Sequence, residues 1–207
     1  MAENVLTSKT INEIIKEKFF VPDYQRGYRW TELQVRQLLD DIYDFINIPE
    51  NSGKFYCLQP VVVTPTKDTR WEVIDGQQRL TTISIILAYL GQKRYELDFQ
   101  TRPGRKEFLL NLGGDTQIDD SNIDYFHISR AFINIRTWFE EKEDTESTIK
   151  SDIHICLGKQ VQIIWYEVLE EESDHIEIFT RLNIGKIPLT NAELIKALLL
   201  NDQNFRN

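Results

Sequence analysis

Thr31 is followed three residues later by Gln34, the spacing of a capping box, and Val35, Leu38, Leu39, Ile42, Phe45 and Ile46 then recur on one helical face. A helix is therefore expected up to about Pro49. A smaller apolar set at Ile11, Ile14 and Ile15 predicts a brief helix near the N-terminus, and Phe19, Phe20 and Val21 predict an extended piece stopped by Pro22. Residues 55–64 and 71–74 are rich in β-branched and aromatic side chains and flank a polar connection at 65–70, the pattern of a β-hairpin. From 77 to 90 the spacing is helical, and no charge occurs between Arg79 and Lys93, so this helix should be buried on most sides. Further along, 95–99 and 160–168 read as strands and 123–139 as a helix. A helical stretch at 174–182 is broken at Asn183, Ile184 and Gly185, after which Thr190 and Glu193 form a second capping box that opens an apolar helix over 192–200.

Strands and helices mix without repeats or low-complexity tracts, which predicts one α+β domain. Its core of a small mixed sheet with surrounding helices is expected over 1–100, and a mainly helical part over 101–207 completes it. The chain stops seven residues after the apolar triplet Leu198, Leu199 and Leu200, so it is expected to be one part of a longer protein.

Charge first argues against a phosphate-handling protein, because thirty-three acids against twenty-four bases leave a net −9. Its distribution removes most of that objection. Residues 140–177 hold twelve acids and three bases, leaving twenty-one of each sign elsewhere. This acidic stretch reads as a solvated helical face. Cys57 and Cys156 lie far apart with no CxxC pairing, which fits reduced thiols in a cytoplasmic protein. No apolar run reaches the roughly 18 residues of a membrane span, and no signal-peptide pattern opens the chain, so no membrane association is expected.

Three segments carry candidate chemistry. The first is Asp75-Gly76-Gln77-Gln78-Arg79-Leu80-Thr81-Thr82, where a strand passes through a tight turn into a helix. A helix N-terminus offers unpaired N–H groups and partial positive charge, glycine permits close approach, and arginine supplies a forked donor suited to phosphate. The second, from Pro22 to Trp30, packs Arg26 and Arg29 among Tyr24, Tyr28 and Trp30, a mixture that can stack on bases and clamp phosphates. The third runs from Phe179 to Thr190 and sets Arg181 and Lys186 beside Asn183 and Gly185. Each also has a plain structural reading: Asp75 as a helix cap, Tyr28 and Trp30 as core anchors, and Asn183 with Gly185 as a helix stop. Spacing alone leaves both readings open.

YQRGYRW, DGQQRLTT and TRLNIGKIPLTNAELIKALLL, in this order, resemble the N-terminal domain of the GmrSD family of modification-dependent (type IV) restriction endonucleases. The likeness runs from about Phe19 to Leu200. It implies a ParB/sulfiredoxin-like core and a module that binds and hydrolyses a nucleoside triphosphate (GTP, CTP or UTP) with Mg²⁺, beside a nuclease module acting on foreign, often modified, DNA. On this resemblance Asp75, Gln77, Gln78 and Arg79 are the expected catalytic group, with Asp75 orienting Mg²⁺ or water. Tyr24, Gln25, Arg26, Gly76, Thr81, Thr82, Arg181, Asn183 and Lys186 are expected to hold the nucleotide. Tyr28, Arg29 and Trp30 are expected to face the base or DNA. Gly185, Thr190 and Lys196 complete the third motif, in which only Ile184 separates Asn183 from Gly185 where the family commonly has two residues.

The nuclease module is expected elsewhere, in the same longer protein or a second chain, because His127, His154 and His175 lack an HNH-like setting. Self-association is left open. Two other classes remain: a non-hydrolysing DNA- or protein-binding module using the same basic and aromatic groups, and a nuclease using Asp75 with other carboxylates.

Overall fold

The computed structural model describes residues 4–101, 104–142 and 146–169. In chain order these form β1 (Val5–Thr10), α1 (Ile11–Ile14), β2 (Lys18–Val21), α2 (Glu32–Asn47), β3 (Tyr56–Pro65), β4 (Trp71–Asp75) and α3 (Gln77–Tyr89). There follow β5 (Glu96–Phe99), α4 (Arg105–Leu110), α5 (Ile123–Glu140), α6 (Glu146–Lys159) and β6 (Val161–Glu167). The expected helices at 174–182 and 192–200 lie outside the described residues.

The six strands make one mixed sheet in the order β1-β6-β3-β4-β2-β5. β3 and β4 form the antiparallel hairpin anticipated from composition, β6 runs parallel to β3, and β2 runs parallel to both β4 and β5. The fold is therefore α+β, with β6 from the second half of the chain inserted between β1 and β3. β1 is a finding beyond the sequence reading, which predicted no strand before α1; it pairs antiparallel with β6 from Val5↔Glu167 to Thr10↔Gln162.

Local chemistry explains the main elements. Gln34 accepts from the Thr31 N–H at 2.8 Å and from its hydroxyl at 2.6 Å, closing the start of α2, and Val35, Leu38, Leu39 and Ile42 bury one face of that helix. In α3, Leu80 through Leu87 are all buried, so this helix has no solvated face along its middle. Its threonines tolerate this because the Thr81 and Thr82 hydroxyls donate to the carbonyls of Gln77 and Gln78, at 2.9 and 3.0 Å. Within the described part of the acidic stretch, α6 buries Ile149, Ile153, Cys156 and Leu157 in the main core and carries its charge on the other face. Among the described residues no helix is long and apolar enough to cross a membrane.

Alternation along β3 divides the buried residues between the two faces of the sheet. Val61 and Val63 join the main core, while Val62 packs with Ile74 and Val168 in a smaller cluster. A register shift between Val62 and Val63, opposite Asp75 and Val73, interrupts the ladder at the end of β4. That irregularity lies where the chain leaves the sheet for α3.

Candidate functional site

Asp75 ends β4 and Gly76 turns the chain into α3 with φ +98°, a left-handed conformation that favours glycine. Space imposes the same choice: a Cβ here would lie 2.8 Å from Val61 Cγ2 and 3.1 Å from Val61 Cα. No side chain caps the helix. The backbone N–H groups of Gln77, Gln78 and Arg79 thus begin α3 without intrahelical acceptors, in the field of a thirteen-residue helix.

Asp75, expected either to cap this helix or to hold metal, instead pairs with Arg79 one turn later, Nη2 to Oδ2 at 3.3 Å. Arg79 also donates from Nη1 to Gln59 Oε1 at 3.0 Å and from Nη2 to the Pro60 carbonyl, while its Nε has no acceptor among the described residues. Burial lowers its affinity for the proton, with Asp75 opposing that shift. The adjacent Gln77 is 3 % exposed and its Nε2 likewise has no acceptor among the described residues.

The second motif is bolted directly onto this turn. Gln25, 4 % exposed, donates its side-chain amide to the carbonyls of Val73 and Ile74 at the irregular end of β4. Gln78 accepts from the Arg29 N–H at 2.8 Å and donates to the Gly27 carbonyl at 2.9 Å, so one amide holds the loop on both sides of Tyr28. Tyr28, expected as a contact residue, is fully buried with its hydroxyl 2.9 Å from Thr82 Oγ1; it is a core anchor. Thr82 and Thr81, expected at the nucleotide, are equally buried. Tyr24 is half-buried and donates to Glu72 at 3.1 Å. Arg26 is exposed at the crest of the loop and has no ion-pair partner among the described residues.

Arg29 turns the other way, toward α5. Its Nη1 lies 2.7 Å from Asp124 Oδ1, and the other oxygen of that carboxylate pairs with Arg105 Nη2. Arg105 is 1 % exposed and its guanidinium stands 4.4 Å above the Phe99 ring. Gly27 leaves the room that Asp124 occupies, since any Cβ at that position would collide with the carboxylate. Burial, helped by the positive charge of Arg29, pushes His127 below its ordinary range. Asp124 and Arg105 carried no sequence signal, since neither belongs to a motif and their segments read as ordinary helix and loop.

Trp30 ends the loop on the wall of a cavity of about 340 Å³ that Arg79, Gln59 and Cys57 also line. Two of the three motifs therefore meet around one strand-to-helix turn. The third, with Arg181, Asn183 and Lys186, lies outside the described residues. Among the described residues no three or more histidine, cysteine or acidic side chains stand together as a metal-binding group.

No curated protein matches the chain. The family model described as the GmrSD restriction endonuclease N-terminal domain matches residues 4–200, which takes in all three motifs. The chain belongs to the GmrSD restriction endonuclease N-terminal domain family and is a component of a restriction system.

Proposed function

We propose that this domain binds and hydrolyses a nucleoside triphosphate and so regulates a DNA-targeting restriction system in which a separate nuclease module cuts. The observation that carries the reading is the bare start of α3: three N–H groups with no side-chain cap, with Gln77 Nε2 lacking an acceptor among the described residues beside them. Phosphate oxygens satisfy such donors. Arg26, exposed in the loop that Gln25 and Gln78 fasten to this turn, adds charge, and Arg79 lies in the first turn of α3.

Phosphoryl transfer is catalysed mainly by positioning and charge stabilisation, which amides, guanidinium groups and one carboxylate supply. Asp75 would hold Mg²⁺ on the protein side as part of a metal–nucleotide complex, where the ion would neutralise phosphate charge. Gln77 is the better candidate for orienting water, because both ends of the Gln78 amide hold the loop.

Release of inorganic phosphate from Mg·GTP, Mg·CTP and Mg·UTP by the wild type, Asp75→Asn and Gln77→Ala tests the reading. Turnover by the wild type, lost in the variants with binding retained, supports it; absence of turnover with any of the three contradicts hydrolysis. One observation favours a second reading, a non-hydrolysing DNA- or protein-binding module: Arg79 already has Gln59, Pro60 and Asp75 as partners, the bonding of a structural arginine. Steeply salt-dependent DNA binding without turnover would select it.

A further inference from the structure

We propose that the cavity between α2, β3 and α3 is a nucleobase subsite, with Trp30 as its ring face and Asp41 and Gln59 on its polar rim. This inference rests on the nucleotide reading above and adds the part of the ligand that reading leaves unplaced. The cavity, about 340 Å³, is of ligand-pocket size, and its anatomy is that of a site for a planar heteroaromatic ring. Its floor is apolar, formed by the buried Leu38, Leu58 and Ile83. Its rim carries both donors and acceptors. Gln59 gives its oxygen to Arg79, which leaves its amide N–H groups to donate. Asp41 accepts from the Tyr56 hydroxyl at 3.0 Å and retains lone pairs for a ring N–H.

Arg79 links the two halves. It belongs to the first turn of α3, pairs with Asp75, and lines the cavity, so one side chain borders both the α3 amides and the ring site beside Trp30. A lipid chain would leave the amide and carboxylate rim unmatched, whereas a base presents donors and acceptors around a flat apolar face.

Cys57 lines this cavity and the only other cysteine, Cys156, is 1 % exposed, which makes alkylation a local probe. Burial raises the Cys57 thiol, so the reaction is run at alkaline pH with iodoacetamide and read by mass spectrometry. Mg·GTP, Mg·CTP or Mg·UTP should slow Cys57 alkylation about tenfold at about ten times its Kd, and Mg·tripolyphosphate, which has no base, should not. Trp30→Ala and the rim variant Asp41→Ala should each weaken nucleotide binding about tenfold while leaving tripolyphosphate binding unchanged. Asp41 is exposed, so its variant keeps the test open if Trp30→Ala fails to fold. Equal affinity for nucleotide and tripolyphosphate with unprotected Cys57 would overturn the base subsite and leave the phosphate site standing. Binding of neither would overturn both. Protection by a single-stranded oligonucleotide but by no nucleotide would overturn it in favour of a DNA base.

Discussion

Gln25 donates its side-chain amide to the carbonyl oxygen of Ile74 at 2.9 Å, and through that bond the aromatic-basic loop is fastened to the strand that ends in Asp75. The same amide reaches the Val73 carbonyl, so one buried side chain serves two backbone acceptors where the β3–β4 ladder is interrupted. Replacing Gln25 with leucine removes a buried donor from both acceptors. A loss of about 1–3 kcal/mol is expected, measured by denaturant unfolding, together with faster hydrogen exchange across residues 22–30.

Gly76→Ala combines a left-handed φ with a contact of 2.8 Å to Val61. The backbone term alone costs about 1–2 kcal/mol, and the contact adds to it by pushing on a core strand. Thermal unfolding should show the loss. Gly53 also has a positive φ but faces open space, so Gly53→Ala should cost only the backbone term and serves as the control.

Breaking the Arg29–Asp124–Arg105 group by Asp124→Ala removes the carboxylate that pairs with the buried guanidinium of Arg105. The pair is buried on both sides, at 1 % and 6 % side-chain exposure, so a cost of about 3–5 kcal/mol is expected by chemical denaturation. Arg29, one-third exposed, should contribute little of this, and Arg29→Ala should stay within about 1 kcal/mol of the wild type.

Burial pushes the phenols of Tyr28 and Tyr95 above their ordinary value near 10, and Tyr56 moves the same way, with Asp41 adding to the effect of burial. The unfolded chain therefore loses these protons first as pH rises. Their contribution is complete below the unfolded value and declines as pH climbs from about 10 toward the folded values, by up to about 1.4 kcal/mol per pH unit for each tyrosine. Unfolding free energy measured from neutral to strongly alkaline pH should fall only in that upper window, and Tyr28→Phe should flatten the decline.

Periodicity made the sheet hairpin, α2, α3, α5 and β6 legible, since each carries its burial pattern within its own segment. β1 was not, because Val5-Leu6-Thr7-Ser8-Lys9-Thr10 mixes polar and apolar positions and acquires its ladder from β6, more than 150 residues later. The motifs drew attention to the right turn but not to the duties within it. Gln78 and Arg79 look alike as polar residues of one helical turn, and only the fold reveals that Gln78 grips the Gly27–Arg29 backbone while Arg79 reaches Pro60. For Tyr28 the sequence left contact residue and core anchor both open, and Thr82 was expected at the nucleotide, because a hydroxyl pair 54 positions apart leaves no local trace.

Titration calorimetry of the full chain with Mg·GTP, Mg·CTP and Mg·UTP, repeated with Arg26→Ala, tests the central claim most directly, because Arg26 is exposed and its loss leaves the described core untouched. Saturable binding of at least one nucleotide by the wild type, weakened about tenfold in Arg26→Ala without loss of thermal stability, is the predicted result. No binding of any of the three by a folded wild type, or equal binding by both proteins, would contradict a triphosphate site at the turn where β4 meets α3.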